Sequence, residues 1–503
     1  DNGGKSGESL RIGFVKLGYG DEFIKNIAKE FSKKYNIDVK FDIRVGQDGI
    51  AALNTDLESH SSKNDLFFNK RYDFDKNIWK QESFTVKGER YNCLLEDISD
   101  IWNSPVEGET ITIKNKMFDY IEEYYNFDDK YYGVPWASGF MGIVRNLGVW
   151  ERLGYSESDL PLTTDQMFAL CDDVISKQYK TDFGTVSPFI YCFNDEYYTP
   201  FINNWVAQYE GKNVAENYFL QGRDPEGEIS EYFFTYDGQK YALEILERLL
   251  NPNNHYQNQS DSLAFTATQK WFLTGEALFM VNGSWLESES GNSSAYDNTD
   301  FIMTPVISAL SRKLSYFSNN ASEDDAKLAQ LVKYVDDVDA GKNPTKPEFA
   351  SDSDIQKVTE ARHYSYAAGG VDHQAYIASY AKNKENAKKF LQFMYSDEGL
   401  NIYRDTMTGC ILPATPTQEY KPLDYEVSTF KASLIKEMDN RYFFNLNDKA
   451  KFFSVGDVSI YYTNGSPALP AAIKTNGYSA SKILSLNSEY LRQNIANIKD
   501  KLI

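Results

Sequence analysis

The chain is short of histidine, cysteine and positive charge, and each shortage removes a class of function. Its four histidines, His60, His255, His363 and His373, form no HExxH pair, and no G-x-S-x-G occurs. Metalloprotease and α/β-hydrolase chemistry therefore has no motif to stand on. The four cysteines, Cys93, Cys171, Cys192 and Cys410, include no CxxC. That spacing argues against a zinc site. It leaves open a disulfide between Cys171 and Cys192 or buried free thiols. Lys and Arg number 52 against 73 Asp and Glu, for a net charge of −21. A nucleic-acid binder needs the opposite sign to displace counterions, so nucleic acid is not an expected partner. An anionic lipid surface would repel the chain in the same way. No run approaches the roughly 18 uninterrupted apolar residues of a membrane-crossing helix.

What is present is length and aromatic content. A chain of 503 residues exceeds one ordinary core, so at least two domains are expected. Aromatic residues make up 15%, with 36 Tyr, 32 Phe and 7 Trp. Most such rings belong in cores, but Tyr joins an apolar face to a polar tip and suits wet binding clefts. Residues 1–9 are rich in Gly and Ser and read as a flexible tether. With no signal peptide and a first residue other than Met, this fits a processed chain.

Leu10, Ile12 and Phe14 alternate as in a strand, and Gly18 and Gly20 punctuate the turn that follows. Phe23, Ile24, Ile27, Ala28 and Phe31 recur at helical spacing, with Asp21 placed to cap the helix. Val39, Phe41 and Ile43 alternate again, a helix follows at about 48–60, and Leu66-Phe67-Phe68 forms a short apolar run. Strand, helix, strand, helix, strand implies a parallel α/β layer, which binds ligands beyond the carboxyl ends of its strands. That face includes 17–19 and 68–70. Further helices are expected around 164–176, 239–250, 427–440 and 480–501, and a strand and helix over 375–395. Residues 287–362 are polar with weak periodicity and read as an inserted or decorated region.

Four segments carry a family resemblance. They are Lys130-Tyr131-Tyr132-Gly133-Val134-Pro135-Trp136; the run from Trp271 to Trp285, with Gly275, Ala277, Met280 and Gly283; Gly369-Gly370-Val371-Asp372 followed by Asn383 to Met394; and Thr408-Gly409-Cys410-Ile411-Leu412-Pro413-Ala414. Read in order, they resemble the extracellular solute-binding proteins of carbohydrate ABC importers, the cluster that includes maltose-binding protein. The resemblance implies a two-lobed α/β fold of the periplasmic-binding type. Each lobe would be a mostly parallel sheet flanked by helices, discontinuous in sequence, with ligand in the cleft. One lobe would take 10–143 and 372–411, the other 144–371 and 412–503. It also implies hinge closure over an oligosaccharide, delivery to ABC permease subunits, no catalysis and no cofactor. Family habit adds a monomer held by a lipid anchor on the outer face of the membrane, or free in a periplasm.

A sugar ring needs flat side chains for its C–H faces and polar forks for its hydroxyls. Trp285, after Gly283-Ser284, and Trp136, after Pro135, are candidate stacking platforms; the alternative for each is a core ring. Trp205 and Tyr198 are further candidates on a helix, where a core role is common. Tyr19 and Phe68 lie just past strand ends. Gly369 marks a strand in the third segment. Asn69, Asp372, Tyr462 and Asn464 are candidate hydroxyl partners. The rival readings are a binding protein for a peptide or polyamine, a surface glycan adhesin, and a glycoside hydrolase, whose two carboxylates need no local motif. Ser428-Thr429-Phe430-Lys431 matches S-x-x-K, but its companion motifs are missing. Asp324-Asp325 and Asp336-Asp337-Val338-Asp339 could hold a structural Ca²⁺, although no EF-hand loop is present.

Overall fold

A computed structural model describes residues 8–72, 83–191, 197–258, 265–290, 298–368, 371–407, 409–423, 426–437, 441–444, 451–459 and 461–502. The chain divides into two compact units, each assembled from separated segments. The first contains Asp1–Phe140, Glu287–Glu289 and Ala367–Glu426; the second contains Met141–Leu286, Ser290–Tyr366 and Val427–Ile503. The sequence placed the crossings at 143/144, 371/372 and 411/412.

The first unit is built on a five-stranded sheet in the order Asp38–Val45, Ser9–Lys16, Leu66–Lys70, His373–Ile377, Val134–Pro135. The first three strands run parallel, and His373–Ile377 returns antiparallel to both of its neighbours. Phe14 pairs with Ile43 on one side and Phe68 on the other. Leu10, Ile12 and Phe14 are buried, as their alternation requires, and so are Gly13 and Val15 on the opposite face. Covering both faces is what helices do to parallel strands. A Cβ on Gly13 would lie 2.9 Å from Asn64 Nδ2 and 3.0 Å from Leu53 Cδ2, so close packing of the Gly46–Glu58 helix leaves room only for glycine.

The Glu22–Tyr35 helix buries Phe23, Ile24, Ile27, Ala28 and Phe31, and ends at Asn36 in the left-handed region. Asp21 does not cap it. Its carboxylate lies 2.8 Å from Lys25 Nζ and 3.4 Å from Lys16 Nζ instead. Two ammonium groups within reach outcompete a backbone N–H for the same oxygens. Against this helix an aromatic shell closes: the Trp136 ring stacks on Phe23 at 5.8 Å and 7° and lies 5.5 Å from Phe14.

The second unit has a six-stranded sheet in the order Ser187–Ile190, Ala277–Gly283, Gly139–Asn146, Tyr364–Ala368, Tyr442–Phe444, with Thr299–Ile302 also paired to Gly139–Asn146. Pairing is parallel between Ser187–Ile190 and Ala277–Gly283, and antiparallel between Ala277–Gly283 and Gly139–Asn146. Both of the latter strands are buried along their whole length, which is why they read as continuous apolar runs without alternation. The Thr164–Lys177 helix starts at a true cap, Thr163, whose Oγ1 accepts from Gln166 N at 3.2 Å.

Residues 287–362 differ from the expectation of a loosely ordered decoration. Thr299–Ile302 is a sheet strand, and helices occupy Ala321–Asp339 and Asp352–His363. These helices bury Leu328, Leu331, Val332, Val335, Val358 and Ala361. Their apolar stripe is narrow and mostly aliphatic, so charged residues dominate the composition and mask the period. The Ser351 side chain and Asp354 form a capping box at the start of the second helix. The acidic clusters there are neutralised by cations: Asp336 by Arg362 at 2.8 Å, Asp337 by Lys333 and Lys342 at 3.0 Å, and Asp339 by His363 at 2.7 Å. Among the described residues no group of three His, Cys, Asp or Glu is placed to hold a metal ion.

Cys171 is a free, fully buried thiol, so the Cys171–Cys192 disulfide is not formed; Cys192 itself lies outside the described residues. Cys410 is likewise free and buried, and burial pushes both thiols upward in pKa.

Candidate functional site

In the first unit, polar and aromatic side chains gather where the parallel strands end. Ser9–Lys16 runs out into the 17–20 turn, closed by Gly20 N donating to Leu17 O at 3.0 Å. This turn presents Tyr19, half-exposed, with its ring 5.5 Å from that of His373. Asp372 precedes His373 at the start of the returning strand, and its carboxylate meets His373 Nδ1 at 2.8 Å. The other carboxylate oxygen lies 3.7 Å from Lys70 Nζ and 3.8 Å from Arg71 Nε. The backbone ties the two strand ends together, Arg71 N donating to Asp372 O at 2.7 Å. Arg71 adopts a left-handed φ of 56°, a strained position for a non-glycine residue, and its side chain is 67% exposed.

Electrostatics follow from these contacts. Burial pulls the Asp372 carboxyl upward, but the His373 hydrogen bond and the charges of His373, Lys70 and Arg71 outweigh it and hold Asp372 below the usual carboxylate range. The Tyr19 hydroxyl is raised well above its ordinary value, first by burial, then by Cys410 and by the charges of Asp372 and Glu289. Tyr19 is therefore a neutral hydroxyl at any physiological pH, able both to donate and to accept, while Asp372 is an acceptor only. Lys70, Arg71 and His373 had not been singled out by sequence. Their signal was adjacency: two continue the Leu66–Phe68 run and one follows Asp372.

In the second unit, the strand Ala277–Gly283 ends at Ser284-Trp285. Trp285 is half-exposed; its Nε1 donates to Tyr197 Oη at 3.2 Å and the two rings meet edge to face at 6.0 Å. Gly283 makes this possible, because a Cβ there would lie 2.2 Å from the Trp285 ring. Tyr462 is half-buried and Asn464 exposed in a turn held by Ser459 N to Tyr462 O at 2.7 Å and Asn464 N to Asp457 O at 2.8 Å.

Five candidate residues lie in cores. Phe68, Asn69, Trp136, Tyr198 and Trp205 are each 0% exposed. Trp136 Nε1 donates to Asn69 O at 2.8 Å and Trp205 Nε1 to Pro305 O at 3.0 Å, so the polar edge of each indole is used internally. Tyr198 Oη bonds the Gln257 side chain, and Asn69 Nδ2 donates to Asn54 Oδ1 at 2.8 Å. A residue closed off in this way offers no face to a solute in this conformation. Gly369 lies outside the described residues.

Similarities to known proteins agree with this fold. Residues 17–400 match the family model of bacterial extracellular solute-binding proteins. A probable secreted solute-binding lipoprotein from Streptomyces coelicolor superposes with a TM-score of 0.60 at 12% identity, covering 97% of this chain and 100% of the other. Maltose-bound MalE3 from T. maritima gives 0.54 at 12% identity, over 96% and 99%. An ABC substrate-binding protein from Listeria monocytogenes, in complex with cycloalternan, also gives 0.54 at 12%, over 97% and 99%. No curated protein matches in sequence. At such identities the structures speak for the fold alone, whereas the family model spans most of the chain: this protein belongs to the bacterial extracellular solute-binding proteins, a family that binds rather than converts its ligand.

Proposed function

We propose that the protein captures an oligosaccharide outside the cell and delivers it to the permease of an ABC importer. One observation carries the reading: half-exposed rings sit at strand ends beside polar forks, Tyr19 with Asp372 in the first unit, and Trp285 with Tyr197 in the second. Such rings present an apolar face to a pyranose, while an ionised carboxylate and neutral hydroxyls bond its rim. Ligand binding is coupled to closure of the two units, and a lipid anchor keeps the protein at the outer membrane face. The described residues contain no helix long and apolar enough to cross a membrane. The structures of similar fold include proteins whose ligands are maltose and cycloalternan.

The test is calorimetry against a panel of α- and β-linked oligosaccharides, with small-angle scattering on the best binder. A saturable 1:1 isotherm with a fall in radius of gyration is expected, and the sugar should be recovered unchanged. Tight binding of a peptide or polyamine with no response to any sugar would overturn the reading. Progressive cleavage of the sugar would return the glycoside hydrolase.

A further inference from the structure

The second unit holds a cavity of about 280 Å³ that uses none of the residues assigned to solute binding. Its lining includes Gln208, Lys212, Lys313, Lys357, Glu210 and Tyr364. Gln208 is 3% exposed, and its Oε1 accepts from Ile307 N at 2.8 Å. That bond orients the amide, and leaves Nε2 a buried donor without a partner among the described residues. A buried N–H₂ with nothing to bond is unfavourable, and an acceptor in the cavity would relieve it.

The charges say which acceptor. Lys313 Nζ lies 3.6 Å from Glu210 and 4.3 Å from the Tyr209 ring centre. Glu210 is further engaged by Gly238 N at 2.8 Å, so its carboxylate is committed. Lys212 Nζ lies 3.8 Å from the Tyr442 ring centre, and Lys357 Nζ donates to Lys313 O at 3.4 Å. Among the described residues Lys357 has no carboxylate partner, while Glu360 on the same rim accepts from Gln356 Nε2. Three lysines therefore face two glutamates, one of them already neutralised, in a chain of net charge −21. We propose that this cavity binds a small oxyanion, a carboxylate or a phosphate group. Gln208 Nε2 and the lysine ammonium groups would donate to its oxygens. The volume is at the lower end of ligand sites, which limits the occupant to a small ion or a single charged group.

Calorimetry on the full chain with inorganic phosphate, and separately with acetate, tests this at low ionic strength. Saturable binding of at least one anion is expected, weakening as salt is added. Gln208→Leu and Lys357→Ala should each weaken it about tenfold or more, the loss expected for a hydrogen bond to a charged group. Lys357 is exposed, so its variant keeps the fold even where Gln208→Leu disturbs the Ile307 contact. Which anion binds identifies the oxyanion, and oligosaccharide affinity should be unchanged in Lys357→Ala. Failure of both anions to saturate, or binding that Lys357→Ala leaves intact, overturns the proposal and marks the cavity as solvent-filled only.

Discussion

Trp136 and Trp285 are the same side chain given opposite fates. Trp136 follows Pro135 inside a strand pairing, and Phe14, Phe23 and His373 close over its ring until none of it meets solvent. Trp285 follows Gly283-Ser284 where a strand stops, and half of it stays open with only Tyr197 as an aromatic neighbour at 6.0 Å. The difference lies in what surrounds the backbone. A sheet interior brings rings from three chain segments to one indole, whereas a strand end brings one.

The most severe way to break this contrast is Trp136→Ala. Removing a fully buried indole from a closed shell should cost about 3–5 kcal/mol of stability, read as a drop in urea midpoint. Affinity of the folded fraction should hardly move. A large loss of affinity without loss of stability would mean that Trp136 faces ligand after all. Gly283→Ala comes next. The added Cβ overlaps the Trp285 ring at 2.2 Å, so the ring must swing away. A stability cost of about 1–3 kcal/mol is expected, together with a changed tryptophan emission and weakened sugar binding.

Trp285→Ala should show the reverse balance to Trp136→Ala. Sugar affinity is expected to fall about tenfold, ~1.4 kcal/mol, with a smaller change in unfolding midpoint. Tyr19→Ala should behave similarly from the other unit. The smallest effect belongs to Asp372. Its folded pKa lies below the unfolded value, so its contribution to stability is present above the unfolded pKa and is lost as pH falls through the folded one. Asp372→Asn should therefore flatten the acid limb of the stability–pH curve and leave neutral pH nearly unchanged. An unaltered acid limb would remove Lys70, Arg71 and His373 as its partners.

Much of the architecture was legible because periodicity survives translation into structure. Phe23 to Phe31 lie on one buried helix face, and Leu10, Ile12 and Phe14 on one strand face, as their spacing required. Residues 287–362 were not legible, because a stripe of Leu and Val within a charged sequence is a weak signal until it packs. The Asp21 cap failed for a related reason. Capping competes with ion pairs to Lys16 and Lys25, and the competition is settled by side-chain positions that spacing does not contain.

The candidate site divides along the same line. Sequence alone determined the family, a chain built from two α/β units, and the strand ends where Tyr19 and Asp372 lie, because these depend on local pattern and motif order. Only the tertiary structure decided which rings are open. Burial of Trp136, Trp205 and Tyr198, and exposure of half of Trp285, depend on segments far apart in the chain that arrive at the same place. It also decided that Lys70, Arg71 and His373 share the Asp372 carboxylate, a cluster that joins two strands some 300 residues apart in sequence and exists only when they pair.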